Sequence, residues 1–484
     1  MKSPNQLIRL GIQEAASTLD QTQVSSKQPP SFTYVPPTHA RALDPESTLV
    51  EGMRGAGKSF WWSLLASPKH REFVQANYPE AQLPSQSVVG QGFGTAFANQ
   101  NYPDPEILSK LVLSFKPRII WRAVLAVHAR FKGDFSKLQD WHKRVQWVND
   151  NPEKFSVALA AADQSLQSKG STLLVLFDAL DRLADDWQHI RPLAKGLLQV
   201  ALEVRSMKNI RCKVYVRPDM LRDDEVTSFP DFSKLEAGKA TLAWRRADLY
   251  ALLFQCLGNA SQGGEQFRAL ALSHVAAKPG QASSAWRVPA ELRTNEGLQE
   301  ALFEKLAGKA MGASTKRGKP YTWLVNHLQD SIDQVSPRSF FAALKAAAVE
   351  TPADDVHPLN YRGIQKGVQQ ASQIRVKEIT EDYPWVRWVM DPLKGNLTVP
   401  CSVHDIELIW KTEKTLSTLE TRLASQGDAV KLPPQNLDLG TAGILGDLEG
   451  LGMLERLDGK RIQMPDVYRV AFGFGRRGGV KPLK

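Results

Sequence analysis

Residues 52–59 read Gly-Met-Arg-Gly-Ala-Gly-Lys-Ser, a glycine-rich octapeptide that ends in a lysine and a hydroxyl residue. It follows a short stretch at 48–50 and precedes an apolar run at 60–65, which gives the order strand, loop and helix. Glycines let backbone N–H groups converge on phosphate oxygens without interference from Cβ atoms, and the next helix adds the positive end of its dipole. This spacing predicts a phosphate-binding loop.

The residue types in this loop predict separate contacts with a bound nucleotide. Lys58 is expected to reach the terminal phosphates, and Ser59 to hold Mg²⁺ through its hydroxyl, because this small cation prefers oxygen ligands. The alternative interpretation is a glycine-rich surface loop without a ligand. The predicted nucleotide-binding residues are Gly52, Gly55, Gly57, Lys58, Ser59 and Phe60.

Length and composition indicate a globular protein of several domains, with 484 residues, 42% hydrophobic and 23% charged. A net charge of +10 favours polyanionic partners such as nucleic acid, although charge spread over a long chain is also an ordinary solvated surface. Three cysteines without paired spacing predict neither a disulfide framework nor a zinc site. Because we find no signal-peptide pattern and no apolar run of membrane-spanning length, we expect a cytoplasmic protein without a membrane partner.

Candidate strands alternate with long helical stretches through the first half of the chain, a pattern typical of a parallel α/β sheet. The predicted strands are residues 48–51, 86–89, 172–177, 213–216 and 240–243. The long insertion after the second strand interleaves Trp121, Trp141 and Trp147 with basic residues. This composition suits either base stacking along a phosphate track or, more commonly, tryptophans that pack helices together.

A second acidic motif completes the predicted site. Residues 173–177 are continuously apolar, as expected of a central parallel strand covered on both faces, and Asp178 ends the run. A carboxylate at a buried strand tip can orient Mg²⁺, so we assign Asp178 to the metal together with Ser59. Asp181, three residues later, is the candidate for polarising the attacking water. The alternatives are a helix cap for Asp178 and a solvated side chain for Asp181.

Two arginines are candidates for contact with the terminal phosphate. Arg217 follows the next predicted strand and leaves its tip beside the loop, although it is also explained as an exposed loop residue. Arg338 stands in the first turn of a later helix, where the dipole gives a cation no help, so an anion is expected nearby. That anion is either the nucleotide or a carboxylate such as Asp330 or Asp333.

The C-terminal segment predicts helices at 403–410 and 441–451 and a hairpin at 454–464, an order that indicates a winged helix. Such a domain can place a helix in the major groove of DNA while basic residues meet phosphates. The helix at 441–451 carries Asp447 and Glu449, which favours packing against protein instead. The basic residues gathered here are Lys460, Arg461, Arg469, Arg476, Arg477, Lys481 and Lys484.

Together, Gly-x4-Gly-Lys-Ser, the strand ending Asp-Ala-Leu-Asp-Arg, the later Arg-Pro, the helical segment with Pro-Arg and the winged helix resemble the signal-transduction ATPases related to AAA+ proteins. STAND members of the KAP and NACHT-like kind are most similar. The resemblance implies Mg²⁺ binding by Asp178, a sensor 1 role for Arg217 and a sensor 2 role for Arg338. No repeat-rich sensor domain follows the winged helix, so the usual ligand-detecting part is missing or belongs to a partner.

The expected fold class is α/β, a parallel-sheet P-loop ATPase core with an α-helical lid and a C-terminal winged-helix-like domain. The expected domains are a flexible N-terminal lead-in at 1–42, the core at 43–245, the lid at 246–350 and the winged-helix-like domain with its basic tail at 351–484. Since the guanine-reading motif Asn-Lys-x-Asp is absent from the sequence, ATP with Mg²⁺ is the expected cofactor.

The sequence and the resemblance predict a switch ATPase that couples ATP binding and slow hydrolysis to signalling or assembly, through a protein partner or a homo-oligomer. The resemblance also suggests a bacterial defence or stress system. Two alternatives stay open at this point. One is an AAA+-type ATPase that binds and remodels DNA through the C-terminal domain, and the other is a nucleotide-dependent scaffold with little hydrolysis.

Overall fold

The computed structural model describes residues 2–19, 28–83, 86–94, 100–276, 285–426, 432–458 and 461–476. The chain divides into two compact units. The sheet unit contains the described residues between 35 and 243, and the helical unit contains residues 2–19, 28–34 and those described from 244 onward. Within the described ranges, every helix is too short or too polar to span a bilayer.

A parallel sheet of five strands forms the centre of the sheet unit, in the order β2-β3-β4-β1-β5. This confirms the predicted α/β class. All of the ladders in this sheet are parallel, and β3 is buried along nearly its whole length, as its continuous apolar sequence predicts. The strands are β1 (Leu49–Glu51), β2 (Ser87–Phe93), β3 (Thr172–Phe177), β4 (Ile210–Val216) and β5 (Ala240–Thr241).

Helices connect these parallel strands, since each parallel pair needs a crossover connection. The longest of them, α9, places a stripe of apolar residues in the core, including Ile190, Leu197 and Val204. The helices of this unit are α2 (Ala40–Leu43), α3 (Lys58–Ala66), α4 (Pro68–Asn77), α5 (Pro105–Val112), α6 (Pro117–His128), α7 (Trp141–Asp150), α8 (Pro152–Ser168), α9 (Trp187–Val204), α10 (Pro218–Leu221), α11 (Asp224–Thr227) and α12 (Phe232–Ala237).

The helical unit is built around α19, which packs against α18 and α24. Its helices are α1 (Pro4–Leu19), α13 (Arg246–Gly258), α14 (Gly264–Leu272), α15 (Ala290–Thr294), α16 (Glu296–Ala307), α17 (Pro320–Leu328), α18 (Pro337–Glu350), α19 (Tyr361–Asp382), α20 (Pro384–Met390), α21 (Val403–Thr412), α22 (Thr415–Gln426), α23 (Gly440–Gly450) and α24 (Asp466–Phe472). The helical character predicted for 246–350 is therefore observed in the described parts of that range, 246–276 and 285–350, while the domain boundaries drawn from the sequence stay predictions.

The C-terminal part has the element order expected of a winged helix. Helices α21 and α23 precede a hairpin of β8 (Glu455–Leu457) and β9 (Arg461–Gln463), and β9 also pairs with β7 (Cys401–Ser402). A small apolar core lies beneath this three-stranded sheet. Two further short strands, β6 (Thr398–Val399) and β10 (Gly475–Arg476), pair in parallel. The residues of that core include Met390, Leu397, Ile406, Trp410, Leu445, Leu448, Ile462 and Phe474.

The N-terminal segment differs from the flexible lead-in predicted for residues 1–42. Residues Pro4–Leu19 form α1, which packs against α13 and α18, and Phe32 and Tyr34 are buried. The prediction was based on the glutamine, serine and proline content of residues 21–40. It missed a stripe of apolar residues at helical spacing nearer the N-terminus. Ile8, Ile12, Ala15 and Ala16 recur at helical spacing and are buried.

A buried lysine in β4 gives a testable consequence of this fold. The Lys213 side chain is fully buried, and its Nζ donates to the carbonyl oxygens of Asp44 at 2.8 Å and Ser47 at 2.6 Å. Burial lowers the pKa of Lys213 to about 7, although the charges of Asp44 and Glu46 act in the opposite direction. Between about pH 7 and the ordinary lysine value of 10.5, the unfolded chain therefore binds a proton that the folded chain does not.

We expect the free energy of unfolding to rise with pH across this window, with a contribution from Lys213 of up to about 1.4 kcal/mol per pH unit. Urea unfolding at several pH values measures the slope. Lys213→Met should flatten it, whereas Lys208→Met, at an exposed position, should leave it as in the wild type. Equal slopes in all three proteins would show that Lys213 keeps its proton when folded.

Candidate active site

Three chain segments meet at one edge of the sheet because their strands are neighbours. The order places β4 between β3 and β1, and all three run parallel. Their carboxyl ends therefore lie side by side, with Gly52 after β1, Arg217 after β4 and Asp178 after β3. In open α/β sheets this edge is where ligands bind.

The loop between β1 and α3 has the backbone that its glycines predict. Gly55 has a φ of 79° and Gly57 a φ of 102°, and residues with a Cβ rarely adopt these left-handed values. At Gly57 there is room for a Cβ, which would meet no atom closer than 3.9 Å, so it is the backbone conformation that requires glycine. At Gly52 a Cβ would stand 3.3 Å from Lys58 Cγ and from Leu242. The loop leads directly into α3, whose first residue is Lys58.

Helix α3 is fixed to the rest of the sheet unit by two buried tryptophans. The Trp61 indole N–H donates to His39 Nδ1 at 3.2 Å, and the Trp62 indole N–H donates to the carbonyl oxygen of Leu176 at 3.3 Å. Burial lowers the pKa of His39 to about 3, so the ring is neutral and its Nε2 donates to the Ala243 carbonyl. These contacts hold the start of α3 at the sheet edge.

Lys58 folds back onto its own loop in this structure. Its Nζ donates to the carbonyl oxygens of Gly52 at 2.6 Å and Met53 at 3.0 Å. Burial lowers the pKa of Lys58 to about 8; Arg217 acts in the same direction, and the carboxylates of Asp178 and Asp181 oppose it. The ammonium therefore occupies a partly desolvated position between the loop and the acidic groups, where a phosphate would be a better partner than a neutral carbonyl.

Ser59 and Asp178 are in direct contact. The Ser59 hydroxyl donates to Asp178 Oδ2 at 2.5 Å, across 119 positions of sequence. Asp178 is 1% exposed, and burial raises its pKa, while the hydrogen bond from Ser59 and the charge of Lys58 lower it. Oxygen atoms such as those of a hydroxyl and a carboxylate are the ligands that Mg²⁺ prefers. The pair predicted from the sequence is thus brought together by the fold.

A backbone turn places the second aspartate of the motif. Ala179 adopts a left-handed conformation with a φ of 58°, which is strained for a residue with a Cβ. A single 3₁₀ turn at Leu180–Arg182 follows and brings Asp181 toward Arg217, with 3.8 Å between Asp181 Oδ2 and Arg217 Nη1. The structure therefore places Asp181 among the charged residues of the edge. Nothing in the sequence indicated the strained alanine.

Arg217 is nearly buried, with 8% exposure, and lies between two carboxylates. Its Nε donates to Asp219 Oδ1 at 3.0 Å, in addition to the longer contact with Asp181. The exposed-loop alternative for Arg217 is therefore wrong, because the guanidinium is enclosed and paired. Asp219 was not predicted as a site residue, although its position two residues after a strand-tip arginine was the available signal.

Phe60 and Arg338 complete the predicted set, and their surroundings differ from those of the other residues. Phe60 lies in the first turn of α3, half-buried, with its ring edge-to-face against Trp61 at 5.1 Å. Arg338 belongs to the helical unit, where its Nη1 donates to Glu378 Oε1 at 2.5 Å. This partner is neither Asp330 nor Asp333, the carboxylates that the sequence offered. Asp330 instead faces Arg375, with 3.9 Å between them.

Of the described basic residues predicted for nucleic-acid contact in the C-terminal segment, one is buried and two form ion pairs at exposed positions. Arg469 is fully buried and donates to Asp466 at 2.6 Å, so its inclusion among phosphate-contacting residues is wrong. Arg476 also contacts Asp466, at 3.1 Å, and Arg461 pairs with Asp458 at 2.7 Å. The other basic residues named for this surface, Lys460, Arg477, Lys481 and Lys484, lie outside the described residues.

The acidic residues of the winged-helix segment have local partners. Asp447 accepts hydrogen bonds from the backbone N–H groups of Gln435 and Asn436, and Glu449 pairs with Arg456 at 2.5 Å. In the sheet unit, the tryptophans of the long insertion pack inside the protein: Trp121 is fully buried and Trp141 nearly so. Trp147 lies edge-to-face with Phe135 at 5.3 Å. The packing interpretation therefore describes these rings.

No protein-family model matches the chain, and no curated protein sequence is similar to it. Among solved structures, Cdc6p from Pyrobaculum aerophilum is 11% identical, with 86% of this chain and 83% of that one covered and a TM-score of 0.28. The ORC2 protein of Aeropyrum pernix, in its ADPNP and ADP complexes, is 15% identical, with 91% and 94% covered and a TM-score of 0.30. TM-scores this low leave the chain's own geometry as the basis for a functional assignment.

Proposed function

We propose that this chain is an ATPase of the switch type, which binds ATP with Mg²⁺, hydrolyses it slowly and changes its assembly with partner proteins or further copies of itself. The observation that carries the proposal is the meeting of Lys58, Ser59, Asp178, Asp181 and Arg217 at the carboxyl edge of three adjacent parallel strands. A glycine loop alone is a common surface feature. Its serine in contact with a buried aspartate from another strand is the feature expected of a nucleotide and metal site.

The residues at this edge fit a magnesium nucleotide. Ser59 and Asp178 would hold the cation, which when bound offsets the negative charge of the phosphates. Lys58 would exchange its two carbonyl partners for phosphate oxygens, a stronger charge-assisted contact. The N–H groups at the start of α3 and the left-handed glycines supply further donors.

Hydrolysis needs a water molecule to be oriented and the developing charge to be met. Asp181 is our candidate for the first task, since its side chain is 22% exposed and so can reach solvent beside the buried Asp178. Arg217 is the candidate for the second, because its guanidinium is held rigidly between carboxylates at the same edge. Most of the rate enhancement would then come from positioning and electrostatics.

Asp181→Asn tests whether Asp181 orients the attacking water while Asp178 holds the metal. We expect nucleotide affinity to stay near the wild-type value, because Asp181 does not hold the phosphates, while turnover falls by roughly a hundredfold or more through loss of the group that polarises water. Single-turnover hydrolysis and binding of a fluorescent ATP analogue measure the two quantities. A wild-type rate would assign the water to another residue.

The switch part of the proposal concerns the helical unit. Arg338 on α18 is our candidate for the residue through which this unit responds to the nucleotide, and its present partner is Glu378 on α19. Helix α19 in turn packs against α24, which follows the β8–β9 hairpin. A change in the pairing of Arg338 would therefore act on the helix that contacts the C-terminal elements.

ATP turnover by the full chain, measured alone, with duplex DNA and with proteins that copurify, tests the whole proposal. We expect slow, Mg²⁺-dependent turnover alone and a change on adding the protein partner or on raising the chain concentration. Stimulation by DNA with strong salt dependence would favour the DNA-remodelling alternative. Bound but unconsumed ATP would favour a scaffold, and failure to bind any nucleotide would remove the proposal.

A further inference from the structure

Asp219 lies at the candidate site without a role in the proposal above. It is the second residue of α10, directly after β4, and its Oδ1 accepts the hydrogen bond from Arg217 Nε at 3.0 Å. The Asp219 side chain is 17% exposed. A charge-assisted contact in so enclosed a position is stronger and more directional than a surface ion pair.

The place of Asp219 in the first turn of α10 accounts for only part of its surroundings. An acidic side chain there suits the positive end of the helix dipole, but α10 is a single turn of four residues, Pro218–Leu221. The second oxygen of Asp219, Oδ2, is buried and has no hydrogen-bond partner among the described residues. Burying a carboxylate oxygen without a partner destabilises a fold, so such an oxygen in a native structure calls for an explanation, and a role in a binding site is one.

The contact with Asp219 also fixes which edge of the guanidinium faces the rest of the site. Nε is the nitrogen nearest the side-chain stem, and Asp219 engages it. Nη1 lies toward Asp181, with 3.8 Å between Nη1 and Asp181 Oδ2. Because the guanidinium is planar, a hydrogen bond at Nε sets the direction of the outer nitrogens as well.

We propose that Asp219 is a positioning residue of the nucleotide site, whose carboxylate orients Arg217 so that its outer nitrogens meet the terminal phosphate of ATP. The inference rests on the proposed ATPase function and deepens it by naming what makes Arg217 selective. ADP lacks the terminal phosphate, so the orientation of Arg217 contributes to binding of ATP and not of ADP.

The test is the ratio of ATPγS to ADP affinity, measured by calorimetry on the full chain. We expect Arg217→Ala to lower this ratio about tenfold. Asp219→Ala should lower it in the same direction by at least about threefold, with ADP affinity unchanged. The double variant should be no worse than Arg217→Ala, because Asp219 acts through the arginine. Asp219→Asn, which keeps one acceptor for Nε, should fall between wild type and Asp219→Ala.

Asp224→Ala is the matched control, at an exposed position on the neighbouring α11, and should keep the wild-type ratio. The inference is overturned if Asp219→Ala keeps or raises the ratio, or if its loss multiplies with that of Arg217→Ala. If Asp219→Ala fails to fold, as lost ADP binding would show, the near-isosteric Asp219→Asn replaces it in the single-variant and double-variant comparison with Arg217→Ala. If the wild-type chain binds neither nucleotide, the proposed function itself is wrong. If the wild type prefers ATPγS and the Asp219 variants keep the same affinity ratio, only the role of Asp219 is wrong.

Discussion

Lys58→Ala is expected to weaken nucleotide binding severely and to abolish turnover. The ammonium already lies in a partly desolvated position, where its hydrogen-bond partners among the described residues are two carbonyl oxygens, and the proposal has it exchange them for phosphate. A hydrogen bond between charged groups contributes about 3 kcal/mol, so its loss weakens binding on the order of a hundredfold. Equilibrium binding of ATP and ADP to both proteins measures the effect.

Two further variants serve as controls for the loss of a lysine elsewhere and for the loss of positive charge at position 58. Lys69→Ala, at an exposed position on α4, should bind as the wild type does. Lys58→Arg keeps the positive charge and should retain part of the affinity, although the larger, planar guanidinium cannot replace the ammonium fully. Normal binding by Lys58→Ala would show that this lysine does not contact the nucleotide.

The pH dependence of binding follows from the same lysine. Lys58 has a pKa of about 8 in the free protein, and bound phosphates would raise it, so binding above pH 8 takes up a proton. ATP affinity should therefore be flat below pH 8 and fall as pH rises above it, by at most about tenfold per pH unit. In Lys58→Arg this slope should disappear, because the guanidinium stays charged throughout.

The sheet and its strands could be predicted because local sequence determines them. The apolar run at 173–177 appears as β3, and all five predicted strands are present within a few residues of their predicted ends. The order of the strands in the sheet could not be predicted, because alternation of strands and helices does not indicate which strands are neighbours. That order is what brings Arg217 between Asp178 and the glycine loop.

The partners of individual charged residues were harder to predict than the residues themselves. The proximity of Ser59 and Asp178 was predicted, because the motif assigns both residues to one metal ion. Glu378 is 40 positions from Arg338, on a helix whose packing no local pattern reveals. Arg469 resembled a surface cation in the sequence and is a fully buried one in the fold. Charge alone does not distinguish a buried ion pair from a phosphate contact.

Asp178→Asn is expected to remove Mg²⁺-dependent hydrolysis while leaving the fold intact. Asparagine keeps an oxygen that accepts the hydrogen bond from Ser59, so the contact between β3 and α3 persists. It removes a negative charge that burial already disfavours, as the raised pKa of Asp178 shows, so thermal stability without ligand should stay equal or rise. Turnover should fall on the order of a hundredfold or more, because the carboxylate is the charged member of the predicted metal pair.

Thermal unfolding with ATP alone and with ATP plus Mg²⁺ provides the second measurement. In the wild type Mg²⁺ should add to the stabilisation by ATP, since a ligand bound only by the folded state raises stability according to its concentration and affinity. In Asp178→Asn this increment should vanish, whereas Asp185→Asn, at an exposed position, should keep it. If Asp178→Asn retains both the increment and the turnover, the carboxylate at the tip of β3 holds no metal, and its contact with Ser59 serves only to join the strand to the helix.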